Sequence, residues 1–286
     1  MVSDKTTAVT DSVATHAEGG HQENIGEWIQ HHIADSDYWH LPALHINLPK
    51  FESLHIFGLK LDLSISNHTV MLWIAGLILI LLFKLTINYR KQVQKGFGNI
   101  LEMLVIYIRD EVAIANMGEK EGRRFTPLLV TFFMFILTAN LMGLIPLFTT
   151  ATGNINVTAA LAIVTLGATQ VYGIKENGFW GYYKALVPHG VPWWLWPLMF
   201  IIEIMGLLAR HVALTIRLFA NMVAGHFVLF AFLGLIIIFK SYFISPVSIG
   251  FAIFVYFLEL LVSLIQAYIF TLLSALFIGM SVNPEH

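Results

Sequence analysis

The stretch LLARHVALTIRL, residues 207–218, decides the fold, because the chain either turns back within it or runs straight through. It occupies the middle of an apolar run from 198 to 239 that contains no proline. The polar exceptions are Glu203, Arg210, His211, Arg217, Asn221, His226 and scattered small residues. As a single helix this run extends about 63 Å at 1.5 Å per residue, roughly twice the hydrocarbon thickness of a bilayer. A second apolar run, 247–280, extends about 51 Å as a helix. Each run can be a hairpin or one steeply tilted helix. A hairpin needs Gly, Pro, Asn or Asp at its bend, and 207–218 has none of these. The expectation is therefore two long antiparallel helices, joined by KSYFISP (240–246) on the outer side. Tilts above about 40° lie outside the usual range, so something other than lipid is expected to cover one face.

Composition agrees with a membrane chain. Of 286 residues, 57% are hydrophobic and 12% charged, with a mean hydropathy of +0.73. A soluble domain carries roughly twice that charged share. The absence of cysteine removes disulfides, thiolate metal ligands and thiol nucleophiles. The net charge of −2 identifies no partner. The N-terminus lacks the basic start and short apolar core of a cleaved leader, so none is expected.

Residues 1–66 form a polar segment with nine acidic and three basic residues. Its first twenty-five or so have a disorder-prone composition. A first span is expected from about His68 to Asn88. Arg90, Lys91, Lys95, Arg109, Lys120, Arg123 and Arg124 follow it. By the positive-inside rule this loop faces the cytoplasm, with the N-terminus outside and the C-terminus cytoplasmic. Within it, Phe97, Ile100, Leu101, Leu104, Ile108 and Val112 recur at helical spacing, predicting an amphipathic helix on the inner surface. A second span is expected at about Thr126–Phe148, a turn at TTATGNIN (149–156) and a third span at about Val157–Tyr172. The linker from Gly173 to Val191 carries Lys175 and Lys184 and reads as inside. The fold class is thus all-α, with about five crossings and residues 67–286 as the membrane domain.

Ionisable residues inside a membrane cost about 2.5–3.5 kcal/mol each on insertion scales, so those of the two long runs need a reason. At 100° per residue, Arg210, Asn221 and Glu203 lie within about 40° of Arg217 on one stripe, and His226 lies about 180° away. Glu259 and Gln266 are seven apart on the second run. A plain structural account suits Arg210, which can pair with Glu203 or snorkel to a polar end. It suits Arg217 poorly, because apolar turns flank it on both sides. His226 alone reads as a hydrogen-bonded core histidine; its functional reading rests on Glu259 in the neighbouring helix.

RLFANMVAGH (217–226) followed by LIQAYIF (264–270) resembles subunit a of the F-type ATP synthase, the stator subunit beside the rotating c-ring. TANLMGLIP (138–146), TGNINVT (152–158) and FIIEIMGLLARHVALTIRLF (200–219) are similar to that family as well, in the same order and spacing. The likeness runs from about residue 68 to the C-terminus. The resemblance implies that Arg217 is the essential arginine facing the ring carboxylates, with Asn221 and Gln266 as the polar residues near it. It makes His226 and Glu259 an outer half-channel pair, in the reverse order to some bacterial members. It makes Glu203 an inner half-channel acid and Asn140 the asparagine of the second span. Ala220 replaces the family's usual glycine. Gly143 and Phe148 stand where some bacterial members carry acids, which therefore take no part here. The implied function is proton translocation that turns the ring, with no catalytic site, no cofactor and no metal on this chain. The implied partners are the c-ring, b-type peripheral stalk subunits, other Fo sector subunits and the lipid bilayer, with no nucleic acid. The implied location is a bacterial inner membrane. H⁺ is the expected coupling ion, although the site that selects it lies on the ring.

Two other classes fit less well. A self-contained transporter would use the same charged stripe for a substrate, but the internal repeats usual in such folds are absent. A membrane enzyme would need a motif such as HExxH or GxSxG, and neither occurs. His31, His32 and His40 offer a lesser reading as an N-terminal metal site.

Overall fold

The computed structural model describes residues 67–87, 95–145, 150–187, 190–239 and 244–282, together with four short strands between 38 and 61. Helix α1 spans Asn67–Thr86. Helix α2, Phe97–Tyr107, runs on without a break through a π-helical stretch, Ile108–Ile114, and a last turn, Ala115–Met117. Gly118, at φ 80°, ends that run. Helix α3 follows at Glu119–Gly143, with Glu119 and Glu121 in its first turn, where negative charge complements the helix dipole. After a 3₁₀ turn at Ala151–Gly153 comes α4, Ile155–Asn177, capped by the Asn154 side chain accepting from the Asn156 amide. Helix α5 is Phe179–Ala185, α6 is Trp196–Phe239 and α7 is Ile244–Val282.

The hairpin alternative is excluded. α6 is one uninterrupted helix of 44 residues and α7 one of 39. Among the described residues, five helices are long and apolar enough to cross a membrane, as expected. The end contacts fix an alternating path. Arg124 near the start of α3 pairs with Glu176 near the end of α4 at 2.9 Å. Asn177 of α4 donates to the Ser281 and Val282 carbonyls at the end of α7. At the opposite end, His68 of α1 bonds the carbonyl of Thr150, just before α4.

Several boundaries move. The second span starts earlier than Thr126, because α3 absorbs the charged turn before Pro127 and carries that proline inside it. Its expected end at Phe148 falls outside the described residues. α4 continues past Tyr172 to Asn177, and α5 occupies part of the expected linker. The amphipathic helix exists, but its apolar stripe is divided. Leu101, Ile108 and Val112 are buried in the core, whereas Phe97 and Ile100 stay exposed. Leu101, Ile108 and Val112 share one face, as a plain count of 100° per residue gives, and in the π stretch Ala113 is buried beside them. The N-terminal segment also holds structure that its polar composition did not announce. β1 (Tyr38–Leu41) pairs antiparallel with β2 (Leu44–Asn47), and β3 (Leu54–Ile56) with β4 (Leu59–Leu61). The disorder expected for about residues 1–25 lies outside the described residues.

The core sits around α3. Leu129, Phe132 and Ile136 of α3 pack with Ile108, Leu214, Leu218, Phe270 and Ile278, and Phe132 meets Phe270 edge to face at 5.6 Å between ring centres. In the most apolar stretch of α3, 61% of residues are buried, against 11% for α6. α6 is therefore a peripheral helix. It presents Ile201, Ile202, Met205, Leu208, Val212 and Ile216 outward. Trp180, Trp193 and Trp194 are exposed near its start, the side-chain type that settles at a membrane–water boundary.

Candidate functional site

Arg217 is exposed on the open side of α6, and among the described residues no carboxylate lies within ion-pair distance of it. One turn further, Asn221 donates its amide to Gln266 Oε1 of α7 at 2.8 Å. This bond ties the two long helices at the level of the arginine. In an apolar setting such an interhelical bond contributes about 0.6–2 kcal/mol. Gln266 is almost fully buried, so its orientation is fixed while Arg217 keeps freedom to reach outward.

Two polar groups flank the arginine in opposite directions along α6. Glu203 lies fourteen residues before it, about 21 Å along the axis, and His226 nine residues after it, about 14 Å. Glu203 pairs with Arg210 at 3.7 Å, both partly exposed. Arg210 also donates to the Gly206 carbonyl and sits over the Phe277 ring. Arg210 thus neutralises and aims Glu203, and the ion-pair account of that residue holds. This group lies beside the last turns of α7, at the end where α4 and α7 both stop.

His226 faces α7, with Nδ1 3.9 Å from Glu259 Oε1. The two residues that the sequence could only suspect of pairing are therefore neighbours. Glu259 is buried, and Gly225 makes room for it: a Cβ there would lie 2.2 Å from Glu259 Oε1. Gly225→Ala is expected to push the carboxylate off His226.

Asn140 is fully buried in α3 and accepts a 2.7 Å bond from Thr152 of the 3₁₀ turn. The same turn brings Thr150 against His226, Oγ1 to Nε2 at 2.5 Å. Asn140 thus braces the segment over the acid–histidine pair, with no described contact to the pair itself. Ser263, His68, Thr150 and Gly225 were not singled out from the sequence. Ser263 had a signal, since it stands between Glu259 and Gln266 at spacings of four and three. The buried atoms Glu259 Oε1, Ser263 Oγ and Gln266 Nε2 form one polar stripe of α7 without a hydrogen-bond partner among the described residues. Buried polar atoms rarely stay unpaired, so this stripe suits passage of a hydrated ion or proton. Thr150 and His68 had no signal, because only the fold brings them near α6. Among the described residues no cluster of three or more His, Cys, Asp or Glu could hold a metal. The N-terminal histidine reading falls outside the described side chains.

The sequence model of the family described as "ATP synthase A chain" matches residues 69–279, most of the chain and all seven sequence-predicted site residues. The chain belongs to the ATP synthase A chain family. Among relatives, an "ATP synthase subunit a" of Myxococcus xanthus (strain DK1622) is 48% identical over 264 residues, 89% of this chain and 87% of the relative. One of Anaeromyxobacter sp. (strain Fw109-5) is 43% identical over 304 residues, covering 96% of this chain and 74% of its own. One of Chloroherpeton thalassium (strain ATCC 35110 / GB-78) is 48% identical over 261 residues, covering 89% and 76%. As an ATP synthase A chain, this protein is a multi-span membrane protein, and six of its seven sequence-predicted site residues lie on the two long helices.

Proposed function

We propose that this chain is the proton-conducting stator of an ATP synthase Fo sector, working against a ring of c subunits. The observation that carries the reading is Arg217, a permanent charge on the open face of a peripheral membrane helix without a described counter-ion. A charge so placed is costly in lipid, and a carboxylate on a facing protein removes that cost. The flanking groups supply two separate routes. His226, Glu259 and the stripe through Ser263 to Gln266 form the outer half-channel. Glu203, aimed by Arg210, stands in the inner one. Asn140 supports the outer route from behind.

Each ring carboxylate crosses lipid protonated, because its ionised form is too costly there. When it reaches Arg217, the fixed cation lowers its pKa by roughly 1–3 units, and the proton leaves by one route. A proton arriving by the other neutralises the next site. The charge also repels hydronium, so the two routes do not short-circuit. Movement of one charge through 100 mV yields about 2.3 kcal/mol to bias rotation. Arginine suits this post because it stays charged where a buried lysine can neutralise. In this reading residues 1–66 face outward, residues 67–286 form the conducting domain and the C-terminus is cytoplasmic. The chain sits in a bacterial inner membrane with the c-ring, b-type stalk subunits and other Fo subunits around it.

The absence of native cysteine makes a direct test available. A single cysteine at the exposed Ile216 should cross-link in membranes to a cysteine placed near the ring carboxylate of a small hairpin subunit. Reaction of Ile216→Cys with lipid-soluble reagents alone, and never with a ring subunit, would remove the ring from this face.

A further inference from the structure

Thr150 precedes α4 yet sits among three other helices. Its carbonyl takes a 3.0 Å hydrogen bond from His68 Nδ1 at the head of α1. A carbonyl only accepts, so Nδ1 of His68 carries the proton. Its hydroxyl lies 2.5 Å from Nε2 of His226 in α6. In α3, Gly143 leaves the room that it needs, since a Cβ there would lie 2.2 Å from Thr150 Oγ1. Thr150 and His68 are both buried. Neither belongs to the sequence-derived set, and His68 lies just outside the family match.

We propose that Thr150 is a positioning residue for proton transfer: its hydroxyl donates to His226 Nε2 and holds the imidazole with Nδ1–H aimed at Glu259, while His68 clamps the turn that carries it. An imidazole has two tautomers, and the bond at one nitrogen sets which atom the other presents. With Nε2 accepting from Thr150, Nδ1 is the protonated nitrogen and faces Glu259 Oε1, 3.9 Å away. A proton reaching Nε2 makes the ring cationic, with the Thr150 hydroxyl turning from donor to acceptor of Nε2–H, and Nδ1 can then release its own proton toward Glu259 with no rotation of the ring. Without the hydroxyl both tautomers and both ring flips become accessible, and the pair spends less time in the productive arrangement. His68 acts one step further back. It bonds the Thr150 main chain, so its part is to hold the turn.

This inference rests on the conducting role proposed for His226 and Glu259, and the test separates the two. ATP-driven proton pumping is measured in sealed membrane vesicles containing the assembled complex, with variant chain levels checked. Thr150→Val, which keeps the shape and removes the hydroxyl, is expected to slow pumping about five- to twenty-fold. Thr150→Ser should restore most of it. Thr150→Ala removes the hydroxyl with less bulk and is read in the same way, so a packing failure of the valine variant leaves the question answerable. In a His226→Ala background, Thr150→Val should add little further loss, because the two act as one unit. A purely structural threonine would instead give additive losses in that background and no rescue by serine. Either result, or wild-type pumping in both Thr150→Val and Thr150→Ala while His226→Ala is slow, overturns the inference alone. Wild-type pumping in His226→Ala and in Glu259→Gln overturns the conducting role and the inference with it.

Discussion

Arg217→Ala is expected to abolish coupled ATP synthesis, lowering proton-driven turnover at least about 100-fold, the scale lost when one preorganised electrostatic group is removed. Without the cation nothing lowers the pKa of the ring carboxylate as it arrives, so the site keeps its proton and the ring gains no direction. The barrier between the two routes falls as well, and a passive leak that dissipates an imposed pH gradient is the second expected signature. Arg217→Lys should recover little, since an ammonium in this setting can lose its proton, and it lacks the planar fork that grips a carboxylate. Both readings come from one preparation: ATP synthesis under an imposed gradient, and gradient decay in the absence of nucleotide. Normal ATP-driven pumping by the alanine variant would refute the assigned role. The helix itself should survive the change, because Arg217 points outward and no described core residue depends on it.

Glu259→Gln and His226→Ala are each expected to slow proton uptake on the order of 10- to 100-fold, the low end of what a positioned acid–base group contributes. Assembly should remain intact, because glutamine keeps the shape of the side chain lodged against Gly225 and His226 is partly exposed. The double variant should be little worse than either single one, since a pair 3.9 Å apart acts as a unit. The reciprocal exchange His226→Glu with Glu259→His keeps an acid and an imidazole face to face and should retain much of the flux that the single variants lose. Unchanged flux in both single variants would take the pair out of the conducting path, while leaving the role of Arg217 to stand on its own test.

Much of this site was legible from residue spacing. Arg217, Asn221 and Glu203 fall on one helical stripe by arithmetic alone, and Glu259 and Gln266 fall on another. The sequence left the Arg210–Glu203 contact open, and the structure closes it as an ion pair on the same helix. His226 and Glu259 could be suspected because a buried acid needs a partner, but which helix face meets which depends on how α6 crosses α7. Thr150 and His68 carried no periodic signal at all. Each sits at the edge of a helix, more than seventy residues from His226 along the chain, and only chain reversal brings them together.

Read as a string of residues, the chain already shows about five membrane crossings, two final helices longer than a bilayer is thick, and a charge far inside one of them. Those facts follow from local properties: apolar length, the absence of a turn residue in 207–218, and 100° per residue. The packed helices alone reveal that α3 is central and α6 peripheral, that Glu259 lodges against a glycine, and that a threonine from a distant turn lies against His226. Such outcomes depend on which surfaces pack together, and packing is settled by shape across the whole molecule rather than by the pattern along one helix.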